Sequence, residues 1–464
     1  MSGLFRGLQI GVSSLMAHQR AIHITSQNIA NMNTPGYQKQ RADLQPIDGP
    51  SGYPKPPYMG NGVQASSIER FVTPFLDEQI RRQRSDFQQA KQAAELLSDV
   101  ESILTEPEET SIGANLDRFW QAWRDLSTAP ADTSARVTLL HTAKQLTTSI
   151  NEAYNFIDAL KDNTNIQVRS DVDKINAIAS EIAGLNEKIL LANAQAGGST
   201  SGSITLEQRR DKLLFDLADI TDFQVGFQSN GMVRVTLGNY ALVDDSGAWS
   251  IELDNNDQPV WSYDGSSVEI QGGRLGASLE ARDSVLPSIM TGLDDIASAL
   301  INNVNQIHNS GYGTNNATGL DFFTGSDARS IDVNATLFNA PENVATASTP
   351  NSIGDNSIAL QVVDLAQTPV LGGTPPTASL GEAYRGFITD LGTRAQRANY
   401  RQASSEKVFD HLQDRRQALS GVSLDEEVAY LLGYEKAFQA GARIITAVDE
   451  MLDQVINRMG VVGR

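Results

Sequence analysis

The C-terminal segment carries the pattern that most constrains the fold. From residue 424 to residue 459, apolar side chains recur at steps of three and four over five heptads. They are Leu424, Val428, Leu431, Tyr434, Phe438, Gly441, Ile445, Val448, Leu452, Val455 and Met459. A stripe of this period lies along one side of an α-helix and is typical of a coiled coil. Ser423 and Glu426 have the spacing of an N-terminal capping box.

A second heptad stripe lies near the N-terminus and is weaker. Its two rows are Leu8, Leu15, Ile22 and Ile29, and Phe5 and Val12. The second row becomes polar at Gln19 and Ser26. Stripes at opposite ends suggest a coiled coil that closes the chain on itself. Two alternatives stay open: an ordinary intrachain bundle, or helices that stay unfolded until neighbouring copies cover them.

The middle of the chain alternates between helical and strand signals. Helical spacing predicts separate helices over 134–160 and 168–189, and alternating polarity predicts an antiparallel β module that ends near residue 276. The predicted organisation is an N-terminal helix and turn region (1–72), a helical domain (73–205), a β-rich domain (206–284), a helical return with loops and short strands (285–400) and a C-terminal coiled-coil helix (401–464). The predicted fold class is therefore mainly α with a β-rich insertion.

Composition limits the partners and the chemistry. The 36 basic and 56 acidic residues give a net charge of -20, which argues against nucleic acid and anionic lipid as partners. The chain has no cysteine, so disulfides and thiolate sites are excluded. No apolar run is long enough to predict membrane insertion. The first acidic residue is Asp43, and an acid-free start resembles either a targeting segment or a basic helix face.

Catalytic and metal-binding patterns are weak in this sequence. His18 and His23 lie five residues apart and so do not share a helix face, and no His-Glu-x-x-His motif occurs. The adjacent acids Glu426 and Glu427 indicate a solvated face. Trp120 and Trp123 lie three apart on a predicted helix, which favours core packing over a stacking site. We therefore expect neither an enzyme nor a cofactor or metal site.

Motifs at both ends resemble a known family. Residues 26–37 resemble the N-terminal signature of flagellar rod, hook and hook-associated axial proteins, and residues 420–428, 437–440 and 448–452 resemble the matching C-terminal signature. The N-terminal turn motif comprises Asn28, Asn31, Asn33, Thr34, Pro35, Gly36 and Tyr37. Residues 210–214 and 272–311 resemble the hook-associated protein 1 family more than rod or hook proteins.

This resemblance implies an architecture and a role. Both termini would lie in an inner α-helical tube, followed by a helical second layer and an antiparallel β outer module. The protein would be a structural adaptor that joins hook to filament, secreted through the flagellar type III export apparatus. It would assemble through the two terminal stripes with further copies of itself, flagellar hook protein and hook-associated protein 3. A flagellar export chaperone would hold the C-terminal helix before export.

Three alternatives accompany this hypothesis. The terminal motifs alone would also fit another flagellar axial subunit, such as a distal rod or hook protein. A secreted enzyme, for example a peptidoglycan hydrolase on a flagellar scaffold, would need a catalytic constellation in the β module, and the sequence provides none. A host-facing adhesin role for residues 222–276 is compatible with the junction role.

Overall fold

The computed structural model describes residues 2–34, 36–47, 60–104, 110–195 and 203–455. The chain forms two compact units. The first unit comprises residues 1–85, 173–270 and 406–464, and the second comprises residues 86–172 and 271–405.

Helices make up most of the described chain. In chain order they are α1 (Ser2–Ala30), α2 (Pro74–Ile103), α3 (Ile112–Thr128), α4 (Thr133–Gln195), α5 (Ile204–Ala218), α6 (Gly273–Glu280), α7 (Leu286–His308), α8 (Ala335–Asn339), α9 (Ser357–Asp364), α10 (Leu380–Ser420) and α11 (Leu424–Asp453). A π-helical turn, Ala281–Val285, joins α6 to α7. The mainly α fold class is thus confirmed.

The strands form small antiparallel sheets. They are β1 (Gln40–Pro46), β2 (Val63–Arg70), β3 (Gln224–Phe227), β4 (Val233–Leu237), β5 (Tyr240–Asp244), β6 (Gly247–Ala248), β7 (Ile251–Leu253), β8 (Pro259–Trp261), β9 (Phe323–Thr324) and β10 (Asp332–Val333). Strands β3 to β6 form one sheet in sequence order, and β1–β2, β7–β8 and β9–β10 form hairpins. The antiparallel β module predicted before residue 276 is confirmed.

The separation of α4 into two helices was wrong. One helix of 63 residues runs from Thr133 to Gln195. Residues 161–167 contain neither glycine nor proline, so nothing in that stretch interrupts the backbone hydrogen bonds. The gap in the apolar pattern therefore does not correspond to a break in the helix.

The second unit is built around an apolar core. Trp120 and Trp123 are buried there beside Phe119 and Phe322, which confirms the prediction of core packing. The segment Gly273–His308 is long and apolar enough to span a membrane by length and composition alone. Half of its apolar window is buried inside the protein, as in the core helix of a globular unit.

His308 is a buried neutral histidine in this core. Its Nδ1 lies 2.6 Å from the carbonyl oxygen of Leu320, and the amide N–H of Ala345 donates to Nε2 at 2.9 Å. Nδ1 therefore carries the proton of the neutral ring. Burial lowers the pKa of His308 to about 4 from the ordinary value of 6.5.

This pKa predicts a loss of stability in acid. Between pH 6.5 and 4 the unfolded chain binds more protons than the folded unit, so the free energy of unfolding falls as the pH drops through this range. The fall amounts to about 3 kcal/mol, and the contribution is fully present above pH 6.5. Urea unfolding at pH 7 and pH 4.5 should show a weaker pH dependence for His308→Gln. The same change at exposed His141 is the control, and an equal effect of both substitutions would contradict the prediction.

Candidate assembly interface

The two terminal helices pack against each other as an antiparallel pair. A Cβ atom on Gly7, near the start of α1, would lie 3.2 Å from Cγ2 of Val448, near the end of α11. At the opposite ends, Asn28 of α1 donates a hydrogen bond to Glu427 of α11. The predicted pairing of the two terminal helices within the chain is therefore confirmed.

The face of α1 that is buried in this unit overlaps the predicted one only in part. The buried positions are Gly11, Ala17, Ala21, Ile24, Thr25 and Asn28. Of the predicted stripe, Leu8, Leu15, Ile22 and Ile29 are half-buried, whereas Phe5 and Val12 are exposed. The heptad analysis weighted large side chains, but helices approach closely where side chains are small. The face that pairs with α11 is therefore the glycine side rather than the Phe5 side.

The predicted stripe of α11 is buried from its third member onward. Gly441 and Val448 are buried, and the half-buried members are Leu431, Tyr434, Phe438, Ile445, Leu452 and Val455. Leu424 and Val428 are exposed instead. Met459 lies outside the described residues. The stripe thus predicted the inward side of most of the helix but not of its first turn.

The capping box predicted at the start of α11 does not form. Ser423 occupies the N-cap with an extended backbone, but its side chain makes no cap hydrogen bond. The carboxylate of Glu426 instead lies 3.6 Å from Nζ of Lys39. Glu427, which the sequence placed on a solvated face, is buried.

The glycines explain how closely the two helices approach. A Cβ atom on Gly11 would lie 2.7 Å from Cγ1 of Ile445 and 3.4 Å from the carbonyl oxygen of Gly441. A Cβ atom on Gly433, by contrast, would meet no atom within 4 Å. These two glycines provide a matched test of the pairing.

Gly11→Leu should loosen the helix pair, whereas Gly433→Leu should not. Both changes raise helix propensity by a similar amount, up to about 1 kcal/mol. Only the first overpacks the interface, at a cost of about 1–3 kcal/mol. Hydrogen exchange at the amides of α1 and α11 should therefore quicken in Gly11→Leu alone. Equal exchange in the two variants would show that the glycine face does not hold the pair together.

The turn after α1 is held by its own polar groups. The side chain of Asn31 donates to the carbonyl oxygen of Gln27 at 2.9 Å, and the hydroxyl of Thr34 donates to the Asn31 side-chain oxygen at 3.3 Å. The amide of Tyr37 donates to the carbonyl oxygen of Thr34, and Gly36 has a φ of +82°, as the predicted type II turn requires. Asn33 is exposed, and Pro35 lies outside the described residues.

Asn28 connects this turn to both the hairpin and α11. Its side-chain amide donates to the carbonyl oxygen of Gln40 at 2.8 Å and to Oε2 of Glu427 at 2.9 Å. Its side-chain oxygen accepts from the amide of Gln40 at 3.0 Å and from the hydroxyl of Tyr37 at 2.9 Å. All four hydrogen-bonding positions of the buried amide are used. We call Asn28 and these hydrogen-bond partners the Asn28 hub. Burial and, secondarily, the charge of Glu427 raise the pKa of Tyr37 to about 12.

The start of the β1–β2 hairpin contacts α11 and the last residue of α10 next to Asn28. The guanidinium carbon of Arg41 lies 4.1 Å from the ring centroid of Tyr430, and the amide of Lys39 donates to the carbonyl oxygen of Ser420 at 3.1 Å. Neither Arg41 nor Glu427 was predicted to be part of the site. For Glu427 the available signal was its position within the C-terminal motif, because spacing alone does not show which polar residues are buried. Arg41 lies outside both motifs.

The outer sides of the helix pair carry uncovered apolar side chains. On α1, Phe5 is 59% exposed and Met16 is 67% exposed, with Val12 between them. On α11 the exposed large apolar residues are Leu424, Val428, Tyr430, Leu432, Ile444 and Met451. We call these two sets the outer stripes. On α1 the three side chains share one helix face, whereas on α11 the exposed residues lie on both flanks of the side packed against α1. Exposed apolar surface of this kind marks an interaction site.

A cavity of about 900 Å³ lies beside the turn motif in the first unit. Its charged walls are largely paired: Arg84 donates to Asp219 at 2.5 Å, and Arg416 lies 2.8 Å from Asp77. Among the described residues, no group of three or more histidine, aspartate or glutamate side chains could hold a metal ion.

Family models match three segments of the chain. Residues 8–38 match the model described as flagella basal body rod protein, and residues 416–459 match flagellar basal body rod FlgEFG protein C-terminal. These two segments contain most of the α1–α11 pair, the turn and the Asn28 hub. Residues 97–323 match the model described as flagellar hook-associated protein FlgK helical domain.

Individual proteins align with nearly the whole chain. Flagellar hook-associated protein 1 of Bacillus subtilis is 28% identical and aligns over 100% of both chains. Its counterpart from Escherichia coli is 23% identical over 96% of this chain and 98% of that protein. The flagellar hook junction protein FlgK from Burkholderia pseudomallei has the same fold, with a TM-score of 0.63 at 13% identity, covering 74% of this chain and 100% of that one.

The paired terminal helices and their matched motifs define a flagellar axial protein, a structural component of the bacterial flagellum. The helical middle segment separates it from the rod and hook subunits. The chain belongs to the flagellar hook-associated protein 1 family.

Proposed function

We propose that this protein joins the flagellar hook to the filament and assembles through the outer stripes of α1 and α11. The proposal is supported by the difference between the two sides of the helix pair. One side of each helix is covered by its partner within the chain, and the other side leaves Phe5, Met16 and Met451 exposed.

Assembly supplies the missing cover for these side chains. Full burial of one large apolar side chain stabilises by about 1.5–3 kcal/mol. Several such side chains per copy, repeated in every subunit of a closed layer, give a contact that is strong only in the assembled state. The predicted inner tube domain, residues 1–72 with 401–464, is the part of the chain that would form this layer.

The partners follow from the position of the layer. Further copies of the chain cover the outer stripes laterally, flagellar hook protein contacts one side of the layer, and hook-associated protein 3 contacts the other. The names of the matched relatives, hook-associated protein 1 and hook junction protein, support this location. The protein acts at the flagellum outside the cell, after export.

Export places a second demand on the same helices. The first 42 residues contain no acidic residue, and this segment serves as the uncleaved signal for the flagellar type III apparatus. Before export, the outer stripe of α11 is an aggregation hazard. A flagellar export chaperone covers the heptad stripe of this helix, from Leu424 to Met459, until the chain leaves the cell.

Electron microscopy of cells that lack the gene tests the junction role. We expect bare hooks without filaments, together with unassembled flagellin in the medium, because filament subunits have no layer to assemble on. Restoring the gene on a plasmid should restore filaments. Absence of hooks would place the protein in the rod or hook instead, and normal filaments would refute the proposal.

A further inference from the structure

The β module in the first unit carries an exposed cluster of aromatic rings. Tyr240, Trp249 and Tyr263 are 42%, 39% and 46% exposed. They stand at three different strand ends: Tyr240 begins β5, Trp249 follows β6 and Tyr263 follows β8. The tertiary fold, rather than proximity in sequence, brings them together.

The rings form one contiguous group. The centroid of Tyr263 lies 5.4 Å from that of Trp249 and 6.4 Å from that of Tyr240. Trp261 is fully buried, and its ring centroid lies 5.8 Å from Tyr240 and 5.9 Å from Tyr263. The exposed rings therefore have a rigid aromatic support.

Polar groups surround the rings and hold them. The indole N–H of Trp249 donates to Oδ2 of Asp244 at 3.2 Å, which fixes the orientation of the exposed ring. Asp264, next to Tyr263, accepts from the hydroxyl and the amide of Ser266. Carboxylate and hydroxyl groups thus lie beside the aromatic rings.

The negative charge of the β module limits which ligands it can bind. Residues 222–270 contain eight acidic residues and one basic residue, Arg234. Such a surface repels anionic glycans, nucleic acid and acidic lipid. Among the ligands that it does not repel, a neutral one with an apolar face for the rings and hydroxyl groups for the carboxylates fits both features of the surface.

We infer that Tyr240, Trp249 and Tyr263 form a binding site for a neutral pyranose sugar. The axial C–H groups of a pyranose ring present a weakly positive face, which packs on the negative face of an aromatic ring. The sugar hydroxyls donate to carboxylate oxygens, which accept only. This inference is independent of the junction role, because the cluster shares no residue with the outer stripes.

Saturation-transfer NMR on the purified full-length chain tests the site. The probes are the methyl glycosides of glucose, galactose and N-acetylglucosamine, at millimolar concentration. At least one should bind, and Trp249→Ala and Tyr263→Ala should each weaken that binding about tenfold. Phe227→Ala is the matched control, because Phe227 is an exposed aromatic residue of the same sheet, and its affinity should stay within about twofold of wild type.

The experiment also has to distinguish binding of a sugar from binding of a cationic ligand. Binding of a neutral sugar is insensitive to salt, whereas binding of trilysine to the acidic surface weakens as the ionic strength rises. Sugar binding that is lost in Trp249→Ala and unchanged by salt supports the site. No binding of any of the three glycosides, binding unaffected by Trp249→Ala, or binding of trilysine alone would overturn it.

Discussion

Asn28→Asp should destabilise the terminal helix pair by roughly 3–5 kcal/mol. The substitution places a carboxylate where the amide nitrogen now donates at 2.9 Å to Glu427, and it removes the donor to the carbonyl oxygen of Gln40. Two acceptors lose their partner, and two like charges meet at a buried position. Hydrogen exchange at the amides of α1 and α11 should quicken accordingly, and filament attachment should be lost.

Two further variants make this prediction specific. Asn33→Asp makes the same chemical change at an exposed position of the same turn, and it should alter stability by less than about 0.5 kcal/mol. Combining Asn28→Asp with Glu427→Gln restores a donor opposite the new carboxylate. The double variant should therefore regain at least half of the lost stability, which is a direct measure of coupling. Additive losses would show that Asn28 and Glu427 do not act as a pair.

Met16→Asp should abolish filament attachment while leaving the isolated chain folded. Met16 is 67% exposed on the outer stripe of α1, so a carboxylate there remains hydrated in the monomer and changes its stability by less than about 0.5 kcal/mol. In the assembled layer the same carboxylate would be buried against a neighbouring copy, which costs several kcal/mol in each subunit.

The control for this variant is Phe227→Asp. Phe227 is an exposed apolar residue of the β module, which is not part of the proposed inner tube domain. Circular dichroism should show both variants folded, and electron microscopy should show filaments only with Phe227→Asp. If cells with Met16→Asp carried filaments of normal length, the outer stripe of α1 would not be part of the assembly contact.

The sequence predicted the elements of this site better than their faces. The α11 stripe was correct from Leu431 onward because large apolar side chains at heptad spacing mark a buried side. On α1 the same rule was correct for the row from Leu8 to Ile29, which is half-buried, and wrong for Phe5 and Val12, because close approach at Gly7 and Gly11 sets the buried side. In that helix the large residue Phe5 points away from the pair.

The polar hub was predicted only in part. The terminal motif identified Asn28 and Tyr37, but not the hydrogen bond from Asn28 to Glu427, which is 399 residues away in the sequence. Glu426 and Glu427 are adjacent identical residues, and only the packing of α11 on α1 decides which of them is buried. The antiparallel β module was predictable from alternation, whereas the grouping of Tyr240, Trp249 and Tyr263 depends on how three strand ends meet.

Thiol labelling can show whether the outer stripe of α1 is buried between copies, because the chain has no cysteine of its own. Met16→Cys places one thiol in the outer stripe of α1, and Ser246→Cys places one at an exposed position of the β module. Both should react with a maleimide in the isolated chain. In purified hooks with attached junctions, we expect Met16→Cys to be protected and Ser246→Cys still to react. Equal labelling of Met16→Cys in the isolated chain and in the assembled junction would contradict the claim that this stripe is buried between copies.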